Sequence, residues 1–163
     1  MCIRDRPGTG DVHLSIVQNL PLTGVVVVTT PQPVALADAK KAIAMFKMEN
    51  INVPVLGIVE NMSWFSPKEY KDEKYFIFGQ HGGKDLATSL NLELLGEIPL
   101  VQSIRESADV GRPAVLQQKT YVESFYSVAC QNLILSVDKR NTELEETKVV
   151  PVEYGEPKCS TNG

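Results

Sequence analysis

The sequence predicts an α/β layered fold, a mostly parallel sheet flanked by helices, on three observations. Short apolar runs recur at residues 23–30, 53–59 and 92–98, the first of them β-branched and without polar alternation to mark a solvent face. Stretches with a helical period of apolar positions lie between and after them. Proline or glycine punctuates nearly every junction. Strands alternating with helices in this order pair side by side and parallel.

The elements follow in turn. Residues 1–6 (M-C-I-R-D-R) match neither a secretory leader nor a strand and are expected to be a non-native leader. Pro7-Gly8-Thr9-Gly10-Asp11 is a dense turn, and a glycine-rich turn normally joins two elements, so a strand is expected ahead of it. Residues 12–19 suit a short helix, with Asp11 as N-cap and Val12, Ile16 and Asn19 at helical spacing. Residues 23–30 (T-G-V-V-V-V-T-T) read as a central strand broken by Pro31-Gln32-Pro33. Over residues 34–49, Ala35, Ala39, Ala42, Ile43 and Phe46 share one helical face, leaving Lys40, Lys41 and Lys47 to solvent.

The second strand, 53–59, runs into Glu60-Asn61-Met62-Ser63 and is followed by a lysine-rich excursion over 64–74 and an aromatic patch at 75–78. A helix over 82–90 opens after Gly79-Gln80-His81-Gly82-Gly83. The third strand, 92–98, is closed by Pro99, and 103–109 forms a short polar helix or turn before Gly111-Arg112-Pro113. Residues 121–137 carry the clearest amphipathic helix, with Val122, Phe125, Tyr126, Ala129, Leu133, Ile134 and Val137 on its apolar face. Cys130, on the flank of that face, is expected to be a small buried hydrophobe. Residues 138–163 lose the period, are rich in acids and are broken by Pro151, Gly155 and Pro157, which predicts a disordered acidic tail.

Composition narrows the function. The 163 residues hold 16 basic against 20 acidic side chains, a net charge of −4, which disfavours nucleic acid as the partner. The apolar runs fall well short of the roughly 18 residues of a membrane span. Cys2, Cys130 and Cys159 are scattered and odd in number, which points to a reducing, cytoplasmic setting without a disulfide framework.

Two places carry candidate chemistry. Backbone N–H groups in the turn Gly8-Thr9-Gly10 can face a phosphate, with Asp11 capping the helix behind them; an ordinary strand-to-helix turn has the same composition. Asn61 directly follows an apolar strand, at the end of a parallel sheet where open α/β folds bind ligands, and its amide offers a donor and an acceptor to a purine edge. A turn asparagine reads the same way, and His81 reads as a loop residue among glycines.

Taken in order, Pro7-Gly8-Thr9-Gly10-Asp11, Thr29-Thr30-Pro31-Gln32, Glu60-Asn61-Met62-Ser63, Phe78-Gly79 ahead of Gly82-Gly83, Gly96-Glu97-Ile98-Pro99-Leu100, and Ile104-Arg105-Glu106 with Asp109, Gly111 and Pro113 resemble the C-terminal half of an Mrp/ApbC-type iron–sulfur cluster carrier. These are MinD/ParA-related deviant P-loop ATPases. The resemblance implies the C-terminal half of a P-loop NTPase-type fold over residues 7–137. It implies a protein that binds and hydrolyses ATP with Mg²⁺, dimerises around nucleotide, and passes an iron–sulfur cluster to apo iron–sulfur proteins. It also implies that Gly8, Thr9, Gly10 and Asp11 lie on the phosphate side, that Asn61 recognises adenine, and that Pro99 lines the base pocket. Asp38 resembles the family's helix acid after T-T-P-Q, and a solvated helix charge accounts for it equally.

The chain departs from the family in three ways. The family's switch segment reads D-x-P-P-G-T-G-D, and here Arg4 and Arg6 replace its aspartate and first proline, with Asp5 out of register. No Gly-x-x-x-x-Gly-Lys-[Ser/Thr] occurs, so no lysine for the β/γ-phosphates and no hydroxyl for Mg²⁺ are present, and this chain alone is expected to be inactive as an ATPase. The interval between Phe65 and Phe76 lacks the C-x-x-C that supplies cluster thiolates in many members. Two other classes therefore stand beside the carrier: a MinD/ParA-like positioning ATPase, and a non-catalytic nucleotide-binding or interaction fragment. A chain missing the start of its sheet is expected to expose an apolar edge and to aggregate.

Overall fold

The computed structural model describes residues 11–67, 73–116 and 121–149. Three parallel strands form one sheet in the order β1 (Val25–Thr29), β2 (Val55–Phe65), β3 (Leu94–Leu100). The helices are α1 (Asp11–Asn19), α2 (Pro33–Phe46), α3 (Gly82–Ser89), α4 (Gln102–Asp109) and α5 (Tyr121–Glu143), with a 3-10 turn at Ala114–Leu116. This is the α/β layering that the alternation of runs predicts.

Side-chain alternation assigns the faces. Val27 and Ile58 point to one side of the sheet, where they close a core with Ala39 and Ile43 of α2 and Leu86 and Ala87 of α3. Pro33 starts α2 at a position whose N–H has no intrahelical partner in any case. A second cluster joins Val17 of α1 to Phe46, Ile51 and Val53 beside the amino end of β2. On the opposite side α5 lies across β3 and β2. Gly96 permits that approach: a Cβ there would stand 2.8 Å from the Cβ of Ala129. Val28, on the α5 side of β1, remains 63% exposed, and β1 has no partner beyond β2 among the described residues.

Four expectations need correction. β2 begins at Val55 and continues to Phe65, so Glu60-Asn61-Met62-Ser63 lies inside the strand rather than after it. The strand survives because Met62 takes a left-handed φ of 56° and the register against β3 shifts there, after which Phe65 pairs antiparallel with Tyr75. β3 likewise runs through Pro99, which the strand tolerates because, among the described residues, it has no partner on its outer edge to supply with an N–H.

Helix α5 runs to Glu143, so residues 138–143 belong to the helix and not to a tail. Its covered face is the one the apolar period marks, with Val122 buried and Phe125, Tyr126, Ala129, Leu133 and Val137 partly buried, and it extends to the buried Ser136 and Arg140; of the seven apolar positions Ile134 is the exposed one, at 59%. Polar contacts continue that face. Asn132 Nδ2 donates to the Leu95 carbonyl at 2.8 Å, Ser136 Oγ to a Glu93 carboxylate oxygen at 3.0 Å, and Arg140 to the Glu145 carbonyl at 2.8 Å. Cys130, on the flank of that face, is exposed instead of buried.

Candidate functional site

Parallel strands put all their carboxyl ends on one edge of the sheet, and three of the sequence motifs converge there through backbone packing. Gly82, opening α3, has no room for a side chain because a Cβ would meet the Pro31 carbonyl oxygen at 2.5 Å; at Gly79, with φ of 105°, the same oxygen lies at 3.3 Å. The turn after β1 thus packs against the glycine loop before α3. Glu60 of β2 completes the junction. Its side chain is buried, 1% exposed, and accepts a hydrogen bond from the Gly83 N–H. Thr29, Glu60 and Glu97 are in register across the three strands.

Asn61, the next residue, is half-buried and pairs in register with Ile98, one residue before the buried Pro99. Asn61 and Pro99 therefore share this edge. The amide of Asn61 is oriented by its own turn: Oδ1 accepts the Met62 N–H at 3.0 Å, and Ser63 Oγ donates to the Glu60 carbonyl at 3.0 Å. Oδ1 is held in this way, and Nδ2 makes no hydrogen bond among the described residues. Each letter of Glu-Asn-Met-Ser has a separate job, respectively a tertiary anchor, a presented amide, a left-handed bend and a clamp.

Beyond the bend, the strand end and the loop behind it form an aromatic rim. Trp64 is buried edge-to-face on Phe125 at 5.3 Å, with Lys74 Nζ 4.0 Å above its ring. Phe65 and Tyr75 exchange two backbone hydrogen bonds of 2.9 Å. The Tyr75 hydroxyl donates to Glu73 at 2.6 Å, which raises the phenol above its ordinary range. His81, the left-handed residue ahead of α3, is exposed and leans on Phe76.

The remaining candidates fall elsewhere. Gly8, Thr9 and Gly10 lie outside the described residues, as do Cys2 and Cys159; Asp11 opens α1, and its side chain is not described. The packing of α1 runs through Val17 to the cluster beside the amino end of β2 and does not join it to Asn61. Asp38 is exposed, 4.0 Å from Lys41, a solvated helix pair. Arg105 and Asp109 likewise form an exposed pair along α4, at 2.6 Å. Among the described residues no three His, Cys, Asp or Glu side chains group to hold a metal ion, and no helix is long and apolar enough to cross a membrane. A groove of about 430 Å³ sits at the opposite edge beside Val53 and Pro54 and is lined in part by Arg140.

Sequence reasoning did not single out Glu60, although its signal was present: an acid ending an uninterrupted apolar run has little choice but to be buried and paired. The half-buried Asn132 and the buried Ser136 and Arg140 were hidden because a hydrophobic period cannot register polar residues that join a covered face through hydrogen bonds.

Comparison with known proteins bears on this edge. A family model described as the ParA, NUBPL iron-transfer P-loop NTPase matches residues 1–155. The chain is 52% identical over 112 residues to the iron-sulfur cluster transfer protein NUBPL of Mus musculus, covering 69% of this chain and 34% of that protein. It is 51% identical over 112 residues to the iron-sulfur cluster carrier protein of Escherichia coli K12, covering 69% and 30%. The chain thus spans about a third of the length of these relatives. Among solved structures, a nucleotide-binding protein from Archaeoglobus fulgidus in complex with ADP superposes with a TM-score of 0.56 at 36% identity, covering 64% of this chain and 42% of that one.

Proposed function

Because the chain belongs to the NUBPL iron-transfer P-loop NTPase family, we propose that it supplies the base-binding side of an ATP-dependent iron–sulfur cluster carrier. One observation carries the assignment: Asn61 is held at the carboxyl edge of the sheet with Oδ1 accepting the Met62 N–H, in register with Ile98 and next to Pro99 in β3. A purine edge is read by an oriented amide, and this position holds one.

In this reading Asn61 hydrogen-bonds the adenine edge, Pro99 lines its face, and Gly8, Thr9, Gly10 and Asp11 serve the phosphate side. Residues 7–137 form the C-terminal part of the ATPase domain. Hydrolysis is assigned to a protein of the relatives' full length, acting as a homodimer. Mg²⁺ belongs with the phosphates, and no protein cage for it is assigned among the described residues. The cluster is cargo for apo iron–sulfur proteins. The interval between Phe65 and Phe76 has no cysteine to hold it, so its ligands in this protein come from elsewhere. A reducing, cytoplasmic setting suits the scattered thiols. The iron-transfer identity of the matching family model favours this reading over a positioning ATPase.

The test is nucleotide binding and cluster reconstitution on the full-length protein. Asn61→Ala is expected to weaken ATP binding about tenfold, the value of one or two lost hydrogen bonds. Unchanged affinity removes Asn61 from the site. A protein that neither binds ATP nor gains the brown absorbance of a cluster on anaerobic reconstitution is not a carrier.

A further inference from the structure

We infer that Glu60 is a positioning residue for the base-binding amide of Asn61, locking the end of β2 to the start of α3 so that the amide keeps one orientation. The inference rests on the base-binding reading above and deepens it.

Stability alone does not call for a carboxylate here. Burying a charge costs several kcal/mol unless its partners repay it, and an apolar side chain in the same volume carries no such cost. Glu60 is nonetheless 1% exposed at the carboxyl edge, with its carboxylate against the Gly83 N–H. Helix α3 lacks a cap of its own: His81, at its N-cap, is left-handed and makes no side-chain cap bond. Glu60 supplies that cap from across the sheet, and its charge suits the positive end of the helix dipole. The fit is close, since a Cβ on Gly83 would lie 2.9 Å from Oε2 and 3.0 Å from Cβ of Glu60.

Alternation along the strand sends the Glu60 side chain to the α3 face and Asn61 to the other, so Glu60 does not reach a base bound by Asn61. It acts through the backbone. Immediately after Asn61 the chain enters the left-handed bend at Met62, where the register against β3 shifts, and among the described residues the side-chain ties around it are Asn61 Oδ1 to the Met62 N–H and Ser63 Oγ to the Glu60 carbonyl. Releasing Glu60 frees the near side of that bend. Adenine and guanine present opposite donor–acceptor patterns, so an amide free to turn over loses discrimination between them.

The experiment compares ATP and GTP affinities of the full-length protein, by fluorescent nucleotide titration, for Glu60→Ala, Glu60→Gln and Asn61→Ala, with thermal melts in parallel. Glu60→Gln keeps an acceptor for Gly83 and is expected to hold the ATP/GTP preference within about twofold. Glu60→Ala is expected to cut that preference about tenfold, chiefly through ATP. Should Glu60→Ala not fold, Gly83→Ala, which drives a Cβ onto the same carboxylate, carries the same expectation. A folded Glu60→Ala or Gly83→Ala protein with an intact preference, or one that loses ATP and GTP equally, overturns the inference. If Asn61→Ala also leaves the preference intact, the base-binding reading fails; if Asn61→Ala abolishes it and Glu60→Ala does not, only the positioning role fails.

Discussion

The backbone N–H of Gly83, in the first turn of α3, donates to the carboxylate of Glu60 in β2, joining residues 23 apart in sequence. The bond satisfies a donor that every helix leaves free at its start, and it does so with a group that itself needs a partner. Pro31 packs against Gly82 on the same helix end. The turn after β1, the bend in β2 and the start of α3 are therefore one packed unit.

Stability should register this unit directly. Glu60→Ala leaves the Gly83 N–H unpaired in a buried place and opens a void, and is expected to cost about 2–4 kcal/mol in urea unfolding. Glu60→Gln, with an acceptor retained, should cost less than half of that. Equal midpoints for the wild type and Glu60→Ala would mean that the N–H finds another partner and that the bond contributes nothing to stability.

Much of the fold was legible from residue types alone. The valine run of β1 and the alanine face of α2 each have one physical reading, because apolar surface must be covered and each period fits one geometry. What was not legible arises where backbone and polar groups override that rule. Met62 continues a strand past residues that look like a turn, because a left-handed φ at one position bends the strand without ending it. Ser136 and Arg140 are buried on the covered face of α5 although polar side chains there read as solvent-exposed, because their partners, Glu93 and the Glu145 carbonyl, are far away in sequence or beyond the helix end. At the site, the strings around Pro31, Asn61 and Gly83 could be picked out, but their meeting through Glu60 required the tertiary contact.

Gly96 is a steric gate between β3 and α5. A Cβ there would sit 2.8 Å from the Ala129 Cβ and 3.2 Å from its Cα, and neither atom can swing away. Gly96→Val must push α5 off the sheet, straining the Asn132 bond to the Leu95 carbonyl. The expected loss is about 1–3 kcal/mol, read from the melting midpoint, and Gly96→Ala should fall between the two. An unchanged Gly96→Val protein would show that α5 is held loosely.

Arg140 ties down the segment that follows α5. It is 9% exposed, donates to the Asn141 side chain at 3.2 Å and to the Glu145 carbonyl at 2.8 Å, and lines the groove formed with Ile51, Val53 and Leu144. Arg140→Met keeps the apolar stem and removes the donors. Limited proteolysis after Lys148 is expected to become about tenfold faster, the effect of losing one or two hydrogen bonds that hold the segment. The global unfolding midpoint should move little. Unaltered cleavage would place the hold on Leu144 and its neighbours instead of the guanidinium.

Val28 tests the open side of the sheet. It belongs to β1, which pairs only with β2 among the described residues, and it is 63% exposed on the face that α5 leaves bare. Parallel strands are normally covered on both faces, because their connections lay helices across each. An unpaired strand with an apolar face also offers its N–H and C=O groups to any other chain. Val28→Lys places a charge on that face without touching the Val27 side, which packs against α2 and α3. Light scattering of the 163-residue chain should show the wild type associating with rising concentration and Val28→Lys shifting toward monomer. If the wild type stays monomeric across the range, β1 is covered by residues outside the described set. If both associate equally, the contact lies on another surface.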